Sequence, residues 1–185
     1  MTEKPFDFRR LEESITVESH NPSWLAWYEE EVGALGEALQ GLHPKFAHVG
    51  SSAVSGLKSK PIVDIMMGLD NLSIPREAQS AIEALGYEYF GRLHANQERL
   101  FARKRGPRSF NLQVVPFGAK EWDEKLIFRD FLRTHPEDVQ EYSKIKDEAI
   151  GAGKLQLLDY HRHKDQVVTA ILQRALNWHS LGRPA

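Results

Sequence analysis

Apolar and polar positions follow two rhythms along this chain. From Asn21 the rhythm is helical: Trp24, Tyr28, Val32, Leu35 and Leu39 recur at three- and four-residue spacing, which predicts an amphipathic helix over 21–40. Asn21 can cap it, Pro22 is tolerated at its first position, and Gly41 and Pro44 end it. Lys45 to Val49 then reads as a short strand leading into a Gly-Ser turn and a short helical segment. Pro61 to Leu69 is the most apolar run and is expected to be the central strand of a sheet. Pro75 opens a helix of about three turns with Ala78, Ile82 and Leu85 on one face, stopped by Gly86. Tyr87–Phe90, Arg99–Arg103 and Phe110–Val115 read as strands, with Gly106-Pro107 as the turn between the last two. The final third is helical: 121–133, 136–150, and a longer helix after Gly151-Ala152-Gly153 with Tyr160, Val167, Ile171 and Leu176 on its buried side. The expected fold is one α/β (α+β) domain over 21–180, a small mixed β-sheet flanked by helices, with residues 1–20 as an irregular arm.

Composition narrows the function classes. The 185 residues, 41% hydrophobic and 27% charged, are enough for one domain with a real core. Lysine and arginine total 24 against 26 acids, so there is no overall basic field for nonspecific nucleic-acid binding. A local basic run (Arg92, Arg99, Arg103, Lys104, Arg105, Arg108) reads either as a solvated hairpin or as a nucleic-acid patch. The chain has no cysteine, which excludes disulfides and thiolate chemistry. No run approaches the roughly 20 apolar residues of a membrane span, and Met1–Arg10 lacks the apolar core of a signal peptide, so the expected location is the cytoplasm.

The chemistry concentrates between His48 and Ile65. Gly50 lets backbone approach a ligand closely, and Ser51 and Ser52 can cradle phosphate oxygens at a helix N-terminus or simply cap the turn. Asp64 lies inside Ile62-Val63-Asp64-Ile65-Met66-Met67, where a carboxylate is costly to bury without a cation, a donor or a solvent-filled cleft. It is a candidate ligand-site acid, or else is fixed in a structural ion pair by Arg129, set beside Asp130, and Arg133. Lys60 is either a phosphate ligand or a solvated loop lysine. Lys146 and Lys164 each follow a tyrosine, Tyr142 and Tyr160, by four residues on one helix face, so they either hold phosphates or pack their stems on the rings. His48, beside the Gly-Ser turn, is a candidate ligand-site residue with Asn111 and Gln113, and a hydrogen bond from its ring can also order the turn.

Several ordered pieces resemble the GrpB family, within the nucleotidyltransferase-like superfamily: Asn21-Pro22-Ser23-Trp24, His48-Val49-Gly50-Ser51-Ser52-Ala53-Val54, Gly56-Leu57, Lys60-Pro61-Ile62-Val63-Asp64-Ile65, Leu85-Gly86-Tyr87, Phe128-Arg129-Asp130-Phe131-Leu132-Arg133 and His135-Pro136. Tyr142, Lys146, Tyr160 and Lys164 fit at their spacings. The resemblance implies a nucleotidyltransferase-like fold and a cleft for a nucleotide or other phosphorylated small molecule. In the enzymatic version Gly50, Ser51 and Ser52 hold the triphosphate, Asp64 is the catalytic acid and holds Mg²⁺ or Mn²⁺, and Lys146 or Lys164 takes the leaving phosphates. The superfamily places two acids at i and i+2 on one strand face, holding ions about 4 Å apart. Here the second position is Met66, whose thioether is a poor ligand for a hard cation, and Asp70 lies six residues on, roughly 20 Å along an extended strand. The neighbouring strand offers Asn111 and Gln113 where the family pattern has a histidine pair. These departures support the alternative, a catalytically degenerate binding or regulatory module.

Overall fold

A computed structural model describes residues 8–93 and 98–182. Residues 1–7 of the expected arm and 94–97 of the basic hairpin lie outside the described residues. Five strands form one sheet in the order β1-β2-β5-β4-β3: β1 (Lys45–Val49), β2 (Ile62–Leu69), β3 (Tyr87–Arg92), β4 (Leu100–Lys104) and β5 (Ser109–Pro116). Only β2 and β5 pair in parallel; the other neighbours are antiparallel. The middle strand is therefore β5, and the more apolar β2 sits beside it. Both are buried on two faces, but Asn111 and Gln113 interrupt the apolar run of β5 and hide its central position from a hydropathy reading.

One sheet face is closed by α1 (Ser23–Ala38) and α2 (Arg76–Ala84). Trp24, Leu35 and Ile82 pack there against Val63, Ile65, Met67, Leu112 and Val114, all essentially inaccessible to water. Each such aliphatic side chain contributes roughly 1.5–3 kcal/mol of transfer free energy. The same face holds a partly buried ion pair: Lys104 Nζ donates to both oxygens of Glu31 at 2.9 and 3.0 Å. The opposite face is covered in part by α3 (Lys120–Thr134), α4 (Pro136–Gly151) and α5 (Leu157–Ser180), which also bundle on one another through Ile127, Phe131, Tyr142 and Ile171. Trp122 and Leu126 of α3 seal the β1–β2 end over Ala47, Val49, Met66 and Val115. The rest of that face stays open as a cleft.

The stretch 8–20 is irregular apart from a 3-10 turn at Phe8–Leu11, yet it is fixed to the body. Ile15 N–H donates to Leu155 C=O at 2.8 Å, Glu18 exchanges backbone bonds with Ser59, and Leu11 and Ile15 are buried beside Leu157 and Tyr160. The basic run does not gather into one patch. Arg99 pairs with Glu121, Arg103 with Glu13, Lys104 with Glu31, Arg105 with Glu13 and Glu88, and Arg108 with Glu30. Strand alternation also sends Arg103 and Lys104 to opposite faces of the sheet.

Candidate functional site

Strand register sets the floor of the cleft. Asp64 lies opposite Asn111 in the β2–β5 ladder, Met66 opposite Gln113, and Asn111 opposite Arg103 in the β5–β4 ladder. Side chains directly across a ladder share a face. Asp64, Asn111, Gln113 and Arg103 thus come together from three strands. Above this floor, the walls come from Gly50-Ser51, Lys60, Lys125 of α3, Tyr142 and Lys146 of α4, and Tyr160, His161 and Lys164 of α5. The enclosed space is about 1040 Å³, at the upper end of the range for small-molecule sites.

Asp64 is held by neutral donors. Asn111 Nδ2 donates to its Oδ1 at 2.8 Å, and the Asp64 backbone N–H points at Ser52 Oγ at 3.4 Å. Asp64 makes no ion pair with the α3 arginines, so the alternative of a structural pair does not hold. Arg129 instead pairs with Asp130 and donates to the His48 carbonyl, while Arg133 donates twice to the Ala53 carbonyl. Both arginines hold the Gly-Ser turn rather than its acid. The turn itself is a single 3-10 turn, Ser51–Ala53, not a helix with a usable dipole. Gly50 has φ +69°, and a Cβ there would lie 2.5 Å from Asp64 Oδ2. Its missing side chain makes room for the carboxylate.

His48 and Ser52 lie behind the site. On β1, His48 faces away from Asp64; it stacks on Tyr28 of α1 at 4.8 Å and shares a 3.0 Å hydrogen bond with Ser52 Oγ. Burial pushes the His48 ring down to about 4, so it stays neutral at physiological pH. Ser52 is fully buried and ties this ring to the backbone of Asp64.

The lysines divide by role. Lys146 is 1% exposed; its ammonium donates to Ser51 Oγ at 2.7 Å and to the Lys58 carbonyl at 2.5 Å, and it lies 3.9 Å from the centre of the Tyr142 ring. Ring packing and turn-holding coincide in this one residue, and burial pushes its ammonium well below the usual lysine range. Lys164 donates to Tyr142 Oη at 3.2 Å and lies 5.7 Å from the Tyr160 ring. Lys60 and Lys125 are half-buried in the cleft walls, and neither ammonium has a hydrogen-bond acceptor or a carboxylate within ion-pair distance among the described residues. Burial pushes Lys60 down to about 8 against the pull of Asp64, and it also lowers Lys125.

The donor set does not fit a pair of divalent ions. Met66 is 1% exposed and packed under Trp122, so the second carboxylate position belongs to the core. Asn111 turns its amide nitrogen to Asp64, and its Oδ1 is buried without a donor. Gln113 Oε1 lies 3.4 Å from Arg99. Among the described residues no group of three or more His, Asp or Glu side chains is placed to hold a metal ion. Asp64 is the single carboxylate on the floor.

Lys125, Arg103, Tyr160 and His161 are cleft residues that sequence reasoning did not select. Lys125 lies one helical turn after Glu121 within an ordinary charged pattern, which reads the same on any exposed helix. Arg103 was read as part of a basic run, yet it is 2% exposed and anchored by Glu13 of the arm.

A family profile described as GrpB protein matches residues 14–174. A UPF0157 protein of Pseudomonas aeruginosa is 34% identical over 170 residues, covering 89% of this chain and 69% of that protein. The glutamate-rich protein GrpB of Alkalihalophilus pseudofirmus is 26% identical over 164 residues, covering 85% and 94%. The crystal structure of the conserved protein GrpB from Enterococcus faecalis superposes with a TM-score of 0.80 at 28% identity, covering 89% of this chain and 99% of that one. Among the described residues no helix is long and apolar enough to cross a membrane. The match across 14–174 is far more than half of the chain, and with it the protein belongs to the GrpB family.

Proposed function

We propose that this protein binds a nucleotide or another phosphorylated small molecule in the cleft above Asp64. One observation carries the reading: Lys60 and Lys125 reach one concave site beside Lys164 and have no acceptor of their own. An ammonium lowered by burial gains most from an anionic partner, because charge-assisted hydrogen bonds return what desolvation took. The Gly50-Ser51 turn, held by Lys146, and the resemblance of this segment to nucleotidyltransferases support a phosphoryl ligand over a simple carboxylate.

The test is thermal unfolding with nucleoside mono-, di- and triphosphates. A ligand at a hundredfold excess over its Kd stabilises by about 2.7 kcal/mol, or some 5–10 °C for a chain of this size. Lys60→Gln is expected to abolish most of that shift; full retention in this variant would contradict the assignment. The pH dependence has a definite sign. Lys60 faces Asp64, Arg103, Lys164 and Glu13, and its ammonium falls to about 8. Protonated Lys60 binds the anion, so affinity is expected to fall as pH rises from 7 through about 8. A flat profile from pH 7 to 9 would remove Lys60 from the site.

A second reading, transfer of a nucleotidyl group to a small acceptor, is favoured by one feature: Asp64 is partly open to the cleft rather than locked in an ion pair. Mg²⁺ or Mn²⁺ would there meet a single protein carboxylate. Release of pyrophosphate during incubation with a nucleoside triphosphate separates this reading from binding alone.

A further inference from the structure

Lysines reach the cleft from four different elements: Lys60 from the segment before β2, Lys125 and, at the rim, Lys120 from α3, Lys146 from α4 and Lys164 from α5. On the floor they face one carboxylate, Asp64. Of the acids nearer the rim, Glu121 pairs with Arg99 at 2.7 Å and Glu124 lies 3.7 Å from Lys120, while Glu98 and Asp165 also border the cleft. Lys146 is spent on Ser51 and the Lys58 carbonyl. That leaves Lys60, Lys125 and Lys164 for a ligand, gathered above the one carboxylate of the floor, Asp64. Lys164 is the common neighbour: it repels both Lys60 and Lys125, and its position over Tyr142 is fixed by the hydroxyl of that ring.

One phosphoryl group carries about −1.5 to −2 at pH 7, and it can be surrounded by two of these ammoniums. A third, arriving from a different helix, needs a second acceptor. In metal-dependent phosphoryl chemistry a divalent ion bridges neighbouring phosphates and neutralises them. Here Met66 is packed in the core and the floor keeps one acid, while lysines occupy the walls around it.

Resting on the phosphorylated-ligand reading above, we propose that the cleft takes a ligand with two linked phosphoryl groups, held by Lys60, Lys125 and Lys164 with no divalent ion bridging it to the protein. Lys164 lies between the two groups, Lys60 holds one and Lys125 the other. Free Mg²⁺ then competes with the lysines for the ligand instead of assisting them.

The experiment is calorimetric titration of the full chain with inorganic pyrophosphate and with orthophosphate, at pH 7, in EDTA and in excess Mg²⁺. Pyrophosphate is expected to bind at least about tenfold more tightly than orthophosphate in EDTA, one further charge-assisted contact being worth roughly that factor. Excess Mg²⁺ is expected to weaken pyrophosphate. Lys125→Gln, checked for an unchanged melting temperature, is expected to remove the preference for pyrophosphate while leaving orthophosphate within about twofold. Equal affinities for the two anions, or pyrophosphate binding only with Mg²⁺, would overturn the inference. Silence to both anions while a nucleotide still stabilises the protein would also overturn it, and would leave the broader reading in place. Silence to anions and nucleotides alike would remove both.

Discussion

Gly50→Ala is expected to destabilise the fold by roughly 3 kcal/mol or more, since it combines a backbone penalty with a steric one. The backbone at Gly50 has φ +69° and ψ −168°, a conformation almost confined to glycine. The added methyl would lie 2.5 Å from Asp64 Oδ2 and 3.1 Å from its Cβ and Cγ. Asp64 cannot swing aside cheaply, because Asn111 holds its Oδ1 at 2.8 Å. For a domain of this size the loss corresponds to about 6–12 °C in thermal unfolding. The two contributions separate in a double-mutant cycle. In an Asp64→Ala background the carboxylate clash is gone, so Gly50→Ala is expected to cost about 1 kcal/mol less there. An unchanged melting temperature for Gly50→Ala would mean that the turn does not seat against Asp64 as described.

Lys104→Met is expected to cost up to about 3 kcal/mol, the low end of the usual loss when one partner of a buried ion pair is removed, because Lys104 keeps 29% of its side-chain surface exposed. The mechanism is the stranded charge. Glu31 is 8% exposed on α1, accepts from Lys104 at both carboxylate oxygens, and lies close enough to Tyr87 to help push that phenol above its ordinary range, after burial itself. Without the ammonium, the Glu31 carboxylate stays buried with its charge uncompensated. Adding Glu31→Gln should recover most of the loss. Urea melts of the single and double variants check this. A double variant no more stable than Lys104→Met would move the cost from charge to lost packing of the lysine stem on Tyr87 and Phe110.

The elements were legible because their signals are local. Trp24, Tyr28, Val32 and Leu35 trace α1 by spacing alone, and Gly86 marks the end of α2 with its φ of +91°. Pairing was not legible, and pairing builds the site. Asn111 meets Asp64 across 47 positions through a parallel ladder that no local pattern encodes. His48 shows the consequence. It is two residues from Gly50, but in the observed register Val49, not His48, lies opposite Asp64, so the ring turns to the α1 face. Gly50, Ser51, Lys60, Asp64, Asn111, Gln113, Lys146 and Lys164 do line one cleft. Lys125 could not be chosen in advance, since only the docking of α3 decides which of its polar residues overlooks the floor. The alternative of an ion pair between Asp64 and the α3 arginines does not form for the same reason: those arginines meet the backbone carbonyls of His48 and Ala53 instead.

Asp64→Asn gives the most direct test of the anion-binding cleft, through its affinity for a nucleoside triphosphate in EDTA and in Mg²⁺. The substitution keeps the size of the side chain and an oxygen for Asn111, and it removes the negative charge among the lysines. A cleft that holds phosphates by its ammoniums is expected to bind several-fold more tightly after this change, about 1 kcal/mol for one like charge taken from a partly solvated site. Loss of binding in the variant, with the wild type binding only when Mg²⁺ is present, would contradict this and make Asp64 a metal-bridged ligand.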